Sequence, residues 1–199
     1  MRMYLLIIIA LVINNPAFTQ SENGIEQYYF RGPHNDYQVI PVVHFKNEKN
    51  WYAEARCNYE DAETFSFYLG KTFSREALLT YSFTPLLGGV TGKFNGVSTG
   101  VNMELEYNNF FFSSQSQYSF STGDRADSFL YSWSEIGYQP LSWLYGGLSV
   151  QQTRVFETRG TLEPGILAGF SFRRFSLPLY CFSPQNNTRY FIIGFNYDW

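Results

Sequence analysis

The chain has 199 residues, of which 45% are hydrophobic, 20% aromatic and only 16% charged, with a formal net charge of −3. A globular domain usually carries about 25% charged residues, so this charge deficit with its aromatic excess excludes a disordered chain. Net acidity and the lack of a Lys/Arg cluster argue against nucleic-acid binding, and two Cys cannot frame a disulfide-rich miniprotein.

At the N-terminus, Met1-Arg2-Met3 is positive and Tyr4 to Ile13 is a continuous apolar run. That run is too short for a membrane-spanning helix, which needs about 20 residues. Asn14-Asn15-Pro16 breaks it, and Ala17-Phe18-Thr19 offers small residues three apart. The pattern predicts an export signal over 1–19, cleaved near Thr19/Gln20. No Cys follows, so a lipoprotein anchor is not expected. Residues 20–36 form an N-terminal segment with a candidate first strand, and 37–199 is assigned to the main fold. No later apolar run is long enough for a transmembrane helix. Such an exported chain folds as a soluble β domain or inserts as a β-barrel.

From there the period is two, the signature of strands. Strands are expected near 25–32, 37–46, 50–60, 63–73, 76–88, 94–107, 109–121, 127–138, 142–156, 164–174, 176–183 and 188–199. In 51–59, Trp51, Ala53, Ala55, Cys57 and Tyr59 share one face, opposite Tyr52, Glu54, Arg56 and Asn58. In 64–73, Phe65, Phe67, Leu69 and Phe73 oppose Thr64, Ser66, Tyr68, Gly70 and Thr72. Val101, Met103, Leu105 and Tyr107 oppose Asn102, Glu104 and Glu106; Phe110, Phe112, Tyr118 and Phe120 oppose Ser113, Gln115, Gln117 and Ser119. Leu144, Leu148 and Val150 oppose Gly147, Ser149 and Gln151; Ile166, Ala168, Phe170 and Phe172 oppose Gly165, Gly169, Ser171 and Arg173. Phe129, Tyr131 and Trp133 share a parity with Glu135, which calls for a bulge or a mixed face there.

A soluble sandwich alternates too, with its apolar face inward; a membrane barrel turns that face to lipid and its polar face to the lumen. Connection lengths favour the barrel. Those at 74–76, 107–109, 139–141 and 174–176 are short, and those at 88–96, 121–127 and 156–163 are longer, alternating as periplasmic turns and extracellular loops do. Twelve strands of about 10 residues leave about five residues per connection. Twelve is the expected number; the alternative is ten, with everything before Asn50 outside the ring.

The last strand carries Phe191, Ile193, Phe195, Tyr197 and Trp199 on one face and Asn196 and Asp198 on the other. This resembles the C-terminal signature of Gram-negative outer-membrane β-barrels, with Trp199 where Phe is usual. The resemblance implies a closed antiparallel up-and-down transmembrane β-barrel in the cell outer membrane. It makes these five residues the signal read by the barrel-assembly machinery, and outer-membrane lipid the other partner. Trp51, Trp143 and Trp199 fall at ends assigned to the periplasmic side, where indole rings favour the membrane–water interface.

Motifs for chemistry are few. Gly88-Gly89-Val90-Thr91-Gly92-Lys93-Phe94 fails as a phosphate loop, having Leu87 for the first Gly and Phe94 for Ser/Thr. His34 and His44 are the only histidines, and neither has a Cys or second His at ligand spacing, so no metal and no cofactor is expected. Asn186-Asn187-Thr188 fits a glycosylation sequon, which the resemblance to bacterial barrels makes incidental. Outer-membrane enzymes pair a His with a Ser or carboxylate, since neutral imidazole must take a hydroxyl proton. His44 shares a parity with Gln38 and Lys46, faces the lumen on this reading, and has no identifiable Ser partner, so no catalytic residue is assigned.

The lumen face concentrates the polar groups: Glu54, Arg56, Asn58, Asn102, Glu104, Glu106, Gln115, Gln117, Gln151 and Arg173 are expected to line it. Glu54 and Arg56 are expected inside, in a charged network with acidic residues of other strands such as Glu104. Eight strands leave a filled interior and sixteen an aqueous channel; twelve lies between. A narrow passive channel for small polar solutes is the leading reading. A non-conducting structural or surface-binding barrel is the alternative, followed by a lipid-modifying enzyme and a soluble exported β-domain. The solute or surface ligand stays open. Cys57 and Cys181, on the third and eleventh expected strands, are expected to stay unjoined.

Overall fold

The computed structural model describes residues 22–32, 36–156 and 158–199; the expected export signal and His34 lie outside the described residues. Thirteen strands follow in order: β1 (Glu22–Arg31), β2 (Tyr37–Lys46), β3 (Trp51–Cys57), β4 (Thr64–Lys71), β5 (Phe73–Arg75), β6 (Thr80–Gly92), β7 (Gly96–Tyr107), β8 (Phe110–Ser121), β9 (Phe129–Leu141), β10 (Leu144–Val155), β11 (Thr161–Phe172), β12 (Phe175–Phe182) and β13 (Tyr190–Asp198). All pair antiparallel with sequence neighbours, except at two seams. β1 pairs β13, and β4 pairs β6, which closes a ring of twelve strands. β5 stands outside the ring and pairs only with β6, in the register β4 already set: Gly70 meets Leu86 and Phe73 meets Phe83. The barrel thus begins at Glu22, inside the segment 20–36.

Both ends of the described chain meet at one end of the barrel, where Trp199 N–H donates to the Asn23 carbonyl at 2.9 Å. We call this the near end. Its turns, at 47–50, 76–79, 108–109, 142–143 and 173–174, are tight; Asn108 and Arg173 adopt φ of +52° and +57°. The far-end connections are mostly longer, and 122–128 holds a single 3-10 turn capped by Asp124.

Several expected connections move; the one expected at 139–141 lies inside β9, and its turn falls at 142–143. β6 runs on to Gly92, so the loop expected over 88–96 contracts to 93–95. Gly92 has φ +127°, a conformation open to glycine and strained for a side chain. The turn expected at 74–76 is strand instead, because Thr72 carries the register across, its hydroxyl 2.8 Å from that of Thr84.

The alternation sorts side chains as a barrel requires. Phe65, Phe67, Leu69, Leu87, Ile136, Leu148, Ile166, Phe191 and Ile193 point outward and are exposed, whereas Ser66, Tyr68, Ser98, Ser119 and Ser149 are buried inside. Outward Ser114 and Ser116 meet Ser134 and Ser132 across β8–β9, each hydroxyl pair 2.8 Å apart. Each of these outward hydroxyls thereby has a partner on the neighbouring strand. Along β9, Phe129, Tyr131, Trp133 and Glu135 all turn inward, so the mixed face is the interior itself. Among the described residues, the register shift lies between Leu144 and Gly146.

Candidate functional site

The interior is divided between an aromatic side and a polar side. On the aromatic side, from β1, β9, β12 and β13, Trp133 packs on Tyr28, Tyr180 and Phe182 at centroid distances of 5.5, 5.0 and 5.9 Å. Leu167, Tyr190 and Ile192 complete this cluster. Its polar tips find partners: Trp133 Nε1 donates to Ser149 Oγ at 2.8 Å, and Tyr190 Oη lies 3.0 Å from both Gln151 Oε1 and Glu163 Oε2, to either of which its one proton is donated.

The polar side is centred on Arg56 of β3, 2% exposed. Its guanidinium donates to Glu54 and, at 2.7 Å, to Gln117 Oε1 of β8. It also lies over the rings of Tyr59 and Tyr68, 4.3 and 4.6 Å from their centroids. Glu60 is the second counterion, 3.8 Å away, with no exposed side-chain surface. Its carboxylate accepts from Ser66 and Tyr68, both at 2.8 Å. Tyr52 donates to Glu54 from below.

Glu60 and Tyr59 reach this position because the β3–β4 connection folds inward. β3 stops at Cys57, and Asn58 adopts φ +57°. That left-handed residue breaks the two-residue alternation. Tyr59, which the alternation assigns to the outer face with Cys57, therefore swings into the lumen. It donates to Gln115 Oε1 at 2.7 Å and meets the Tyr131 ring edge-on at 5.6 Å.

The expected lumen residues take these places. Glu54 and Arg56 are buried inside as a contacting pair. Asn58 caps the far end of β3 and donates to the Val39 carbonyl at 2.9 Å. Asn102, Glu104 and Gln115 line the main chamber, Gln117 and Gln151 sit in the polar contacts above, and Glu106 lies at the near-end mouth. Two expectations are corrected. Arg173 is not a lumen residue: β11 ends at Phe172, and Arg173 is exposed in the tight near-end turn, over the Phe172 ring. Glu104 is not in the Arg56 network; it accepts from Ser82 at 3.1 Å. Arg56 sits level with Ser66, hence with Val90 of β6, whereas Glu104 sits level with Ser82. Val90 and Ser82 are eight positions apart along β6, which puts Glu104 toward the near end from Arg56.

The chamber, about 280 Å³, is lined by hydroxyl, amide and carboxylate groups, among them Thr72, Ser82, Thr84, Ser113, Gln115, Asn196, Glu26 and Glu135. His44 lines it too, its nitrogens 3.6 Å from Glu26 and 3.8 Å from Asp198. A far-end vestibule of about 580 Å³ is bounded by Glu60, Asp61, Lys93, Asn95 and Asp127. Among the described residues, the inward carboxylates include Glu26, Glu54, Glu60, Glu104, Glu135 and Glu163, and the inward cations include Arg56 and Lys46.

Glu26, Glu60 and Glu135 were not singled out from the sequence. Glu135 carried a signal in its shared parity with Trp133, while Glu60 sits in a loop where parity says nothing. Trp51, Trp143 and Trp199 are each about half exposed and stand together at the near end.

No family model and no curated protein sequence matches the chain. Solved structures do. The KdgM porin in complex with disordered oligogalacturonate superposes with a TM-score of 0.65 at 8% identity, over 87% of this chain and 98% of that one. The NanC porin gives 0.56 at 9% identity, over 88% and 98%. OccAB4 of Acinetobacter baumannii gives 0.50 at 11% identity, over 87% of this chain and 56% of its own. At such identities the likeness is one of fold: the described chain is a closed antiparallel β-barrel with twelve strands in the ring, similar in fold to the KdgM and NanC porins.

Proposed function

We propose that this protein sits in the cell outer membrane, placed there by an export signal and the barrel-assembly machinery, and lets small polar solutes diffuse through its interior. The observation that carries this reading is the polar chamber of about 280 Å³ inside a twelve-strand ring, wider than the eight-strand barrels whose interiors side chains can fill. The exposed aromatic and aliphatic outer face, with tryptophans gathered at the near end, supports a bilayer surrounding. Oligogalacturonate, the ligand of the KdgM structure, is a polyanion. The acidic wall here favours uncharged or cationic solutes instead, since confined like charges repel an anion.

The test is conductance of the purified barrel in planar bilayers, with the reversal potential read under a salt gradient. Discrete channels with a cation preference are expected; anion preference refutes the selectivity. A second reading, a non-conducting scaffold, is favoured by the aromatic cluster that fills one side of the lumen. A folded barrel that never conducts selects it. Catalysis has no place in the proposal, because His44 faces the chamber rather than the outer surface where lipid substrates lie.

A further inference from the structure

We infer that Tyr59 is the constriction of the passage, the residue that sets how large a solute crosses; the inference rests on the channel reading above. Three observations converge. The first is its path across the lumen. Tyr59 springs from the β3–β4 connection, yet its hydroxyl bonds Gln115 on β8 and its ring meets Tyr131 on β9. Those strands lie four and five places from β3 round the ring by way of β4, close to opposite. The side chain therefore bridges two walls rather than lying along one.

The second observation is where the cavities meet. The near-end chamber of about 280 Å³, the far-end vestibule of about 580 Å³ and a lateral cavity of about 290 Å³ all have Tyr59 in their wall. A side chain shared by all three is the partition between them.

The third is that the partition is braced. One face of Tyr59 carries the Arg56 guanidinium at 4.3 Å, itself held by Glu54 and Gln117. The next residue, Glu60, is anchored by Ser66 and Tyr68. A buried cation stacked on an aromatic face, hydrogen-bonded to one carboxylate and ion-paired with a second, is costly to displace. Solute must pass the ring rather than push it aside, so removing the ring enlarges the opening without dismantling the wall.

The experiment compares the wild type with Tyr59→Ala, Tyr59→Ser and Tyr59→Phe. Each is first shown to be a folded barrel by its heat-modifiable gel mobility. Single-channel conductance and the swelling of liposomes in uncharged sugars of increasing size are then read. In Tyr59→Ala and Tyr59→Ser, conductance should rise by about twofold or more, with larger sugars admitted. Tyr59→Phe keeps the ring and should stay close to wild type. A wild type that conducts, with Ala and Ser variants that fold and conduct no better, overturns the constriction and leaves the channel standing. Conductance appearing only in the Ala and Ser variants supports the constriction and rejects an open wild-type passage. If none conducts, both ideas fall.

Discussion

Arg56 shows how much one side chain carries in this interior. It is the cation between Glu54 and Glu60, stacked between two tyrosine rings and tied to β8 through Gln117. Arg56→Ala would leave two buried carboxylates without their counterion, at a cost of about 3–5 kcal/mol. The urea midpoint of the refolded barrel in lipid vesicles should fall accordingly; an unchanged midpoint means the pair is solvated. Arg56→Lys keeps the charge but loses the flat group that stacks between Tyr59 and Tyr68, so it should recover only part of the loss. Glycines matter at this scale where a ring lies on the backbone. A Cβ at Gly165 would stand 2.7 Å from the Phe182 ring, which covers that backbone from inside.

At the scale of elements, β13 is the strand that closes the ring. Ile25 pairs with Tyr197, Gln27 with Phe195, and on the other side Phe175 with Tyr197. A variant ending at Gly194 loses these pairings and exposes two unpaired strand edges. It should fail to reach the heat-modifiable form and be degraded in the periplasm; a truncated chain that still assembles in the outer membrane would contradict this. Strand order also governs the thiols. Cys57 on β3 and Cys181 on β12 are free, and four steps separate their strands through β2, β1 and β13. Neighbouring strands are about 4.8 Å apart, which makes an arc of about 19 Å against the roughly 7 Å limit between the Cα atoms of a disulfide. A thiol reagent applied to unfolded, unreduced protein should therefore titrate two groups. None in a monomer would refute the ring order.

The whole molecule inverts the polarity of a soluble barrel. Its outward face holds exposed Phe, Leu and Ile, far more than a monomer in water leaves uncovered. Leu87, 64% exposed, lies midway along β6 and so near the centre of the apolar band. Leu87→Arg should cost about 2–4 kcal/mol on folding into a bilayer, since a charge at the midplane has no partner there. The measurement is folding yield and stability in lipid vesicles. A variant as stable as wild type would show that this face does not meet hydrocarbon.

Ring strands, their order and most of their faces were legible in the sequence. Period-two alternation is a property of extended backbone, and closure joins neighbours along the chain. Glu54, Gln117, Ser66 and Ser149 went inward and Phe65, Leu148 and Phe191 outward on parity alone. The chemistry of the site was legible only in part. Parity assigned Tyr59 to the outer face, but one left-handed residue, Asn58, reversed it. Arg173 had the right parity and the wrong place, since a strand end is set by pairing with β12 and not by alternation. Glu104 has the charge expected of a partner for Arg56 but stands on a different level of the barrel. Alternation along each strand was thus determined by the sequence itself, through local backbone geometry. Which side chains meet across the lumen was decided only by tertiary structure, because Tyr59, Gln115 and Tyr131 become neighbours when the ring closes.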